Sequence, residues 1–172
     1  MDKKREEALY KHGFRLLEEQ LATYIKEHYE GVSRIEFSPI FEDGGDGYSM
    51  YTLNVVVAIS DEHGNRALVD EYGSGNTPFG TANGLTMDFD GGDGSQVIEL
   101  DNYDRDEVID VSDADTLPKN AKLESYRILD EMIQYLVKTE QLVDVKKSNH
   151  GSRDVKVVYN TTIKKGSYSK WH

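Results

Sequence analysis

A chain of 172 residues that is 37% hydrophobic and 30% charged, with 11 Tyr, 5 Phe and 1 Trp, carries enough apolar surface to bury a core, and its length suits one domain. No apolar run approaches the roughly 18 residues needed to span a bilayer, and the N-terminus leads into a mixed-charge segment in place of a signal-peptide core. The absence of Cys excludes disulfides, thiolate zinc sites and a cysteine nucleophile and agrees with a reducing compartment, so cytoplasm is the expected location.

In chain order, Tyr10, Phe14, Leu17, Leu21, Tyr24 and His28 recur at steps of three and four, which predicts an amphipathic helix over about residues 3–29. Leu17 and Leu21 are expected on its buried face and Glu18 in solvent, with Gly31 as the helix stop. The period then changes to two. Ile35, Phe37 and Phe41 read as one strand, Tyr51, Leu53, Val55, Val57 and Ile59 as a second, and Arg66 to Tyr72 as a third. Residues 73–84 have no hydrophobic period and read as an exposed loop. A second hairpin follows, with Leu85, Met87 and Phe89 before Asp90-Gly91-Gly92-Asp93-Gly94 and Ile98 and Leu100 after it, then an acidic connector from Asp101 to Asp115. Asp115 or Thr116 can cap a second helix with Pro118 in its first turn and Leu123, Tyr126, Leu129, Met132, Ile133, Leu136 and Val137 buried. Leu142 to Val145 and Val155 to Ile163 complete a last hairpin. The expected fold is α+β: a single antiparallel sheet of about five to seven strands, a meander of hairpins, with two helices packed on one face. One domain spans 1–163, and 164–172 form a basic aromatic tail.

The formal charge of −12 is unevenly spread. Residues 36–116 hold 19 Asp and Glu against Arg66 and Arg105, a net of −17, whereas residues 138–172 hold 8 Lys and Arg against 3 acids. Both helical regions are neutral. Dense carboxylates on a rigid sheet imitate the charge of nucleic acid and steer a basic protein into contact.

Motifs for catalysis and metal binding are incomplete. Asp88, Asp90 and Glu99 occupy positions 1, 3 and 12 of an EF-hand count, but Gly92 stands at position 5, where a ligand belongs, and Asp93 at position 6, where the turn glycine belongs. Phe41-Glu42-Asp43-Gly44-Gly45-Asp46-Gly47 and Phe89-Asp90-Gly91-Gly92-Asp93-Gly94 share the start of a calcium-binding nonapeptide, yet Ser49 and Gln96 replace its later Asp. Solvated turns account for these residues with less, so no metal or other cofactor is expected. Gly75 to Thr81 has the glycine spacing of a phosphate loop with Thr81 in place of the lysine. The histidines at 12, 28, 63, 150 and 172 are dispersed, and no Gly-x-Ser-x-Gly elbow is present. The sequence therefore predicts no enzyme.

The expectation is a non-catalytic acidic binding protein of the inhibitor or immunity type, neutralising a toxin or a phage-defence protein through a basic surface on that partner. Asp88, Asp90, Asp93, Asp101, Asp104, Asp106 and Asp110 are its candidate contact patch. Two alternatives are a calcium module built on the Gly-Gly-Asp-Gly hairpins and a nucleic-acid binder using Lys146, Lys147, Arg153, Lys156, Lys164, Lys165 and Lys170 with Tyr159, Tyr168 and Trp171. Internal charge balance is the simpler account of that basic end. No membrane partner is expected.

Overall fold

A computed structural model describes residues 3–45, 47, 50–71, 73–81, 86–102 and 104–172. Asp46 and Ser49 of the first glycine-rich turn, Tyr72 of the third expected strand, Ala82 to Gly84 of the loop, and Leu85 lie outside the described residues. The elements are α1 (Lys3–His28), β1 (Tyr29–Glu30), β2 (Val32–Phe37), β3 (Ile40–Asp43), β4 (Thr52–Val55), β5 (Val57–Asp61), β6 (Arg66–Leu68) and β7 (Phe79–Gly80). Then follow β8 (Met87–Asp90), β9 (Gln96–Asn102), β10 (Glu107–Asp110), α2 (Arg127–Lys138), β11 (Lys146–Lys147), β12 (Lys156–Val158) and β13 (Ile163–Lys165). Short 3-10 turns occupy Lys119–Ala121 and Tyr168–Lys170.

Among the described residues the fold is α+β with two helices, but the expected single antiparallel sheet is wrong. The described strands form four small sheets, ordered β12-β2-β5-β6, β13-β3-β4-β7, β10-β9-β8 and β1-β11. The first two are mixed, because β12 pairs parallel to β2 and β13 parallel to β3. The expected C-terminal hairpin is therefore absent: its two arms pair with earlier strands, β11 with β1 and β12 with β2.

The division into two four-stranded sheets has a local cause at Pro39. Phe37 faces Val57 and Phe41 faces Asn54, so four steps along one strand match three along the other, which defines a bulge. Proline has no N–H for a ladder and is tolerated at such a site. Ser38 makes up the loss, donating its N–H to the Val56 carbonyl at 2.9 Å and accepting the Val56 N–H on its hydroxyl at 2.8 Å. Period-two patterning runs through this bend without a break, which is why one strand was expected where β4 and β5 stand.

Helix α1 is enclosed instead of lying on one face. From Gly13 to Ile25 only Arg15, Glu19 and Thr23 escape full burial. On one side Gly13 lies so close to β8 and β9 that an added Cβ would sit 2.6 Å from the Phe89 ring and 3.2 Å from Ile98. On another, His12 meets the Ala114 carbonyl, Glu19 accepts the Leu117 N–H and Gln20 donates to the Ala121 carbonyl, holding the 114–121 connector. Glu18, expected in solvent, is fully buried beside Leu17 and accepts the Asn160 N–H at 2.8 Å where the C-terminal strands cross the bulge. Its Oε2 has no hydrogen-bond partner among the described residues.

Helix α2 starts later than expected, at Arg127, and Leu123 and Tyr126 are buried ahead of it in an extended segment. It joins α1 through Asp130, whose Oδ1 accepts the hydroxyls of Tyr24 (2.8 Å) and Tyr29 (2.6 Å) and whose Oδ2 takes Lys147 Nζ at 2.6 Å. Burial and the hydrogen bonds to Asp130 push both tyrosine hydroxyls above their ordinary pKa. Gly31 stands three residues past the end of α1, with φ of +87°. A Cβ there would lie 2.1 Å from the Asp144 carbonyl, so the position needs glycine for close passage of residues 144–145 as much as for its left-handed backbone. No helix among the described residues is long and apolar enough to cross a membrane.

Candidate functional site

The acidic segment folds into the three-stranded sheet β8-β9-β10. Its inner face is apolar: Met87, Ile98 and Leu100 are buried, with Phe89 and Ile109 packed against the core. Alternation then sends Asp88, Glu99, Asp101 and Val108 to the outer face. The register sets Asp88 directly across from Glu99, and Glu99 across from Asp110, so three carboxylates stand in one row across three strands. Val108 faces Asp101 and is 61% exposed. Met87, Asp88, Glu99, Asp101 and Val108 line a small hollow of about 90 Å³.

The electrostatics of this face are unfavourable to itself. Burial, with Asp88, Asp110 and Asp90 nearby, holds the Glu99 carboxyl above the usual carboxylate range. Asp101 is likewise raised by burial, with Asp106 adding to it. Like charges directly opposite on a sheet destabilise it. Nothing basic within the sheet offsets them, since Arg105, in the turn between β9 and β10, reaches Glu124 at 3.3 Å.

Of the seven aspartates expected in the patch, Asp88, Asp90, Asp101 and Asp110 are brought together around Glu99. The other three are placed by turns. Asp93 sits in the β8–β9 turn, where its carboxylate is held below the usual range by hydrogen bonds from Ser95. Asp104 accepts the Arg127 N–H at 3.1 Å and so caps α2. Asp106 has a left-handed backbone in the turn before β10. The expected patch leaves out Glu99, which the alternation of Ile98 and Leu100 with Glu99 and Asp101 would have found.

The basic end is divided among several roles. Lys147 is committed to Asp130 and Lys146 lies 3.4 Å from Glu30. Tyr159 stacks on Phe37 at 6.0 Å under the Arg15 guanidinium. Lys164, Lys165, Lys170 and Trp171 rim a cleft of about 460 Å³ that also includes Phe41. The glycine-rich loop is partly structural: Phe79 and Gly80 form β7 and are buried, and Asn76 donates to the Tyr168 carbonyl at 3.0 Å. Among the described residues no three His, Asp or Glu converge closely enough to hold a metal ion. The chain matches no protein-family model, no curated protein and no solved structure at a significant level.

Proposed function

We propose that this protein is a non-catalytic binding protein of the inhibitor or immunity type, whose acidic outer face on β8-β9-β10 docks onto a basic surface of a protein partner. The observation that carries the reading is the in-register row Asp88, Glu99 and Asp110, with Asp101 and exposed Val108 beside it. Such a row costs the isolated protein stability, and a cationic surface laid over it removes that cost. Val108 supplies the apolar contact that a ring of charges needs to become an interface. A basic nuclease, toxin or defence protein has the complementary chemistry, with the carboxylates standing in for phosphates. The same reading places the protein in the cytoplasm, where a cysteine-free chain is at home.

The test is capture of partners from a native lysate on wild type and on a face variant carrying Asp88→Asn, Asp90→Asn and Glu99→Gln. A cationic partner held by wild type should be lost from the variant and should elute from wild type at about 0.5 M salt. In purified form its association with the variant should be slower at low salt, and the two rates should converge at high salt. A partner that binds both proteins alike at low salt would refute the reading.

A further inference from the structure

The two sheets that flank the chain's charge asymmetry adjoin. Gly80 of β7 donates its N–H to Thr86 Oγ1 at 2.7 Å, Thr86 returns its N–H to the Gly80 carbonyl at 3.0 Å, and Asp101 of β9 donates to the Thr86 carbonyl at 3.1 Å. The sheets β13-β3-β4-β7 and β8-β9-β10 thus meet at Thr86. β13 is an edge strand of the first and β10 an edge strand of the second, and no described strand covers either outer edge.

The phase of each ladder shows which backbone groups face outward. Ile40 donates to the Thr162 carbonyl and Gly166 to the Glu42 carbonyl, so residues 162, 164 and 166 bond to β3. Ile163 and Lys165 consequently turn their N–H and C=O groups away from the sheet. At the other edge Val111 donates to the Ile98 carbonyl, which makes 107 and 109 the bonded positions of β10. Val108 and Asp110 therefore present their backbone groups outward. Each edge offers two residues at the same i, i+2 spacing.

Charge decides which edges can meet. β13 carries Lys164 and Lys165 with no acid, and neither lysine has an ion pair among the described residues. β10 carries Glu107 and Asp110 around Val108 and Ile109. Pairing of like edges in a two-fold dimer sets acids on acids or lysines on lysines, whereas the unlike pairing sets lysines on acids. We infer that β10 of one copy pairs with β13 of a second copy, so that the protein assembles edge to edge, head to tail. A contact of this kind uses different patches on each copy and propagates into short chains or rings. With three or four residues on each side the contact is small, so the association is weak and visible at high concentration. The inference does not rest on partner docking at the sheet's outer face, although both contacts draw on the same carboxylates, and either reading can fail alone.

Sedimentation velocity on the full chain at about 0.1 M salt tests it, because there the Debye length of ~10 Å screens the overall repulsion between copies but not a direct edge contact. The weight-average mass should rise above the 19.5 kDa of one chain as concentration approaches about 0.5 mM, and should fall back at about 0.5 M salt. A variant with Lys164→Glu and Lys165→Glu, and another with Glu107→Lys and Val108→Lys, should each remain monomeric, while their mixture should co-sediment because both unlike edges are restored. Val108→Pro, which removes an outward N–H without touching the β9 ladder, should also abolish assembly. Wild type that stays at monomer mass throughout overturns the inference. So does a pair of variants that melt like wild type but fail to associate when mixed.

Discussion

Glu18→Gln tests the central oddity of the core, a carboxyl group enclosed by α1, the bulge and the C-terminal strands. Burial, only partly offset by the Asn160 N–H and by Arg15, pushes the Glu18 carboxyl up to about 8 from an ordinary value of 4.5. The folded protein therefore holds a proton between these two pH values that the unfolded chain has released. Stability from this group is complete below about pH 4.5 and declines as pH rises through about 8. A displacement of that size corresponds to roughly 3–5 kcal/mol across the window, with a slope of at most about 1.4 kcal/mol per pH unit. Glutamine keeps the acceptor for Asn160 and cannot ionise. Urea denaturation of wild type and Glu18→Gln from pH 5 to 9 isolates the effect, since the histidines and surface acids titrate in both. The charged and titratable groups around the site, Arg15, Glu19 and Tyr159, are retained in the variant. The two proteins should be of similar stability near pH 5, and the variant should gain progressively toward pH 9. A difference that stays constant over this range would show that Glu18 is ionised in the folded state and would refute the reasoning.

Gly13→Ala should destabilise the protein by about 1–3 kcal/mol in thermal or urea melts, although alanine is the better helix former by about 1 kcal/mol, because the new methyl meets the Phe89 ring. In a Phe89→Leu background the same change should be neutral or stabilising, and an equal loss in both backgrounds would remove Phe89 as the cause. Asp61 has the opposite pH dependence from Glu18: although burial opposes it, bonds from Asn65, Val143 and His63 hold its carboxyl at about 2. Its stabilisation is present above about pH 4 and lost as pH falls toward 2, so Asp61→Asn should weaken the protein by about 2–4 kcal/mol at pH 7 and by much less at pH 2, as followed by circular dichroism.

What could be read from residues alone follows from which physical signals are local. The stripe from Tyr10 to His28 located α1 almost to its ends because helical period and burial coincide there. The same stripe misplaced Glu18, since a helix enclosed on several sides has no solvent face to which the pattern can refer. Alternation found the residues of β2, β3, β4, β5, β8 and β9, but alternation says nothing about partners. The parallel pairings of β12 and β13 join residues about 120 positions apart and leave no turn signal between them. β10 reads in sequence as part of a connector because Glu-Val-Ile-Asp on an open edge has no alternating apolar face to announce it. Within the acidic patch, four of the seven expected aspartates converge because they lie on strands, whereas Asp93, Asp104 and Asp106 answer to turn and cap geometry.

The two proposals ask the acidic sheet to serve two contacts that cannot be independent in energy. In the first its outer face attracts a cationic partner, and in the second its β10 edge attracts the lysines of β13 in another copy. Both attractions draw on the same field, since Asp110 belongs to the row on the face and to the edge strand itself. A bound cationic partner neutralises part of that field and so weakens the edge contact of the copy that carries it. Linkage is reciprocal, and self-association must then weaken partner binding by the same factor. Chains of copies would act as a store in which the acidic faces are partly shielded, and dilution or a strongly basic partner would release single copies from it. The direction of this coupling is fixed by charge alone: with two sites on one sheet drawing on one set of carboxylates, electrostatics can only make them compete.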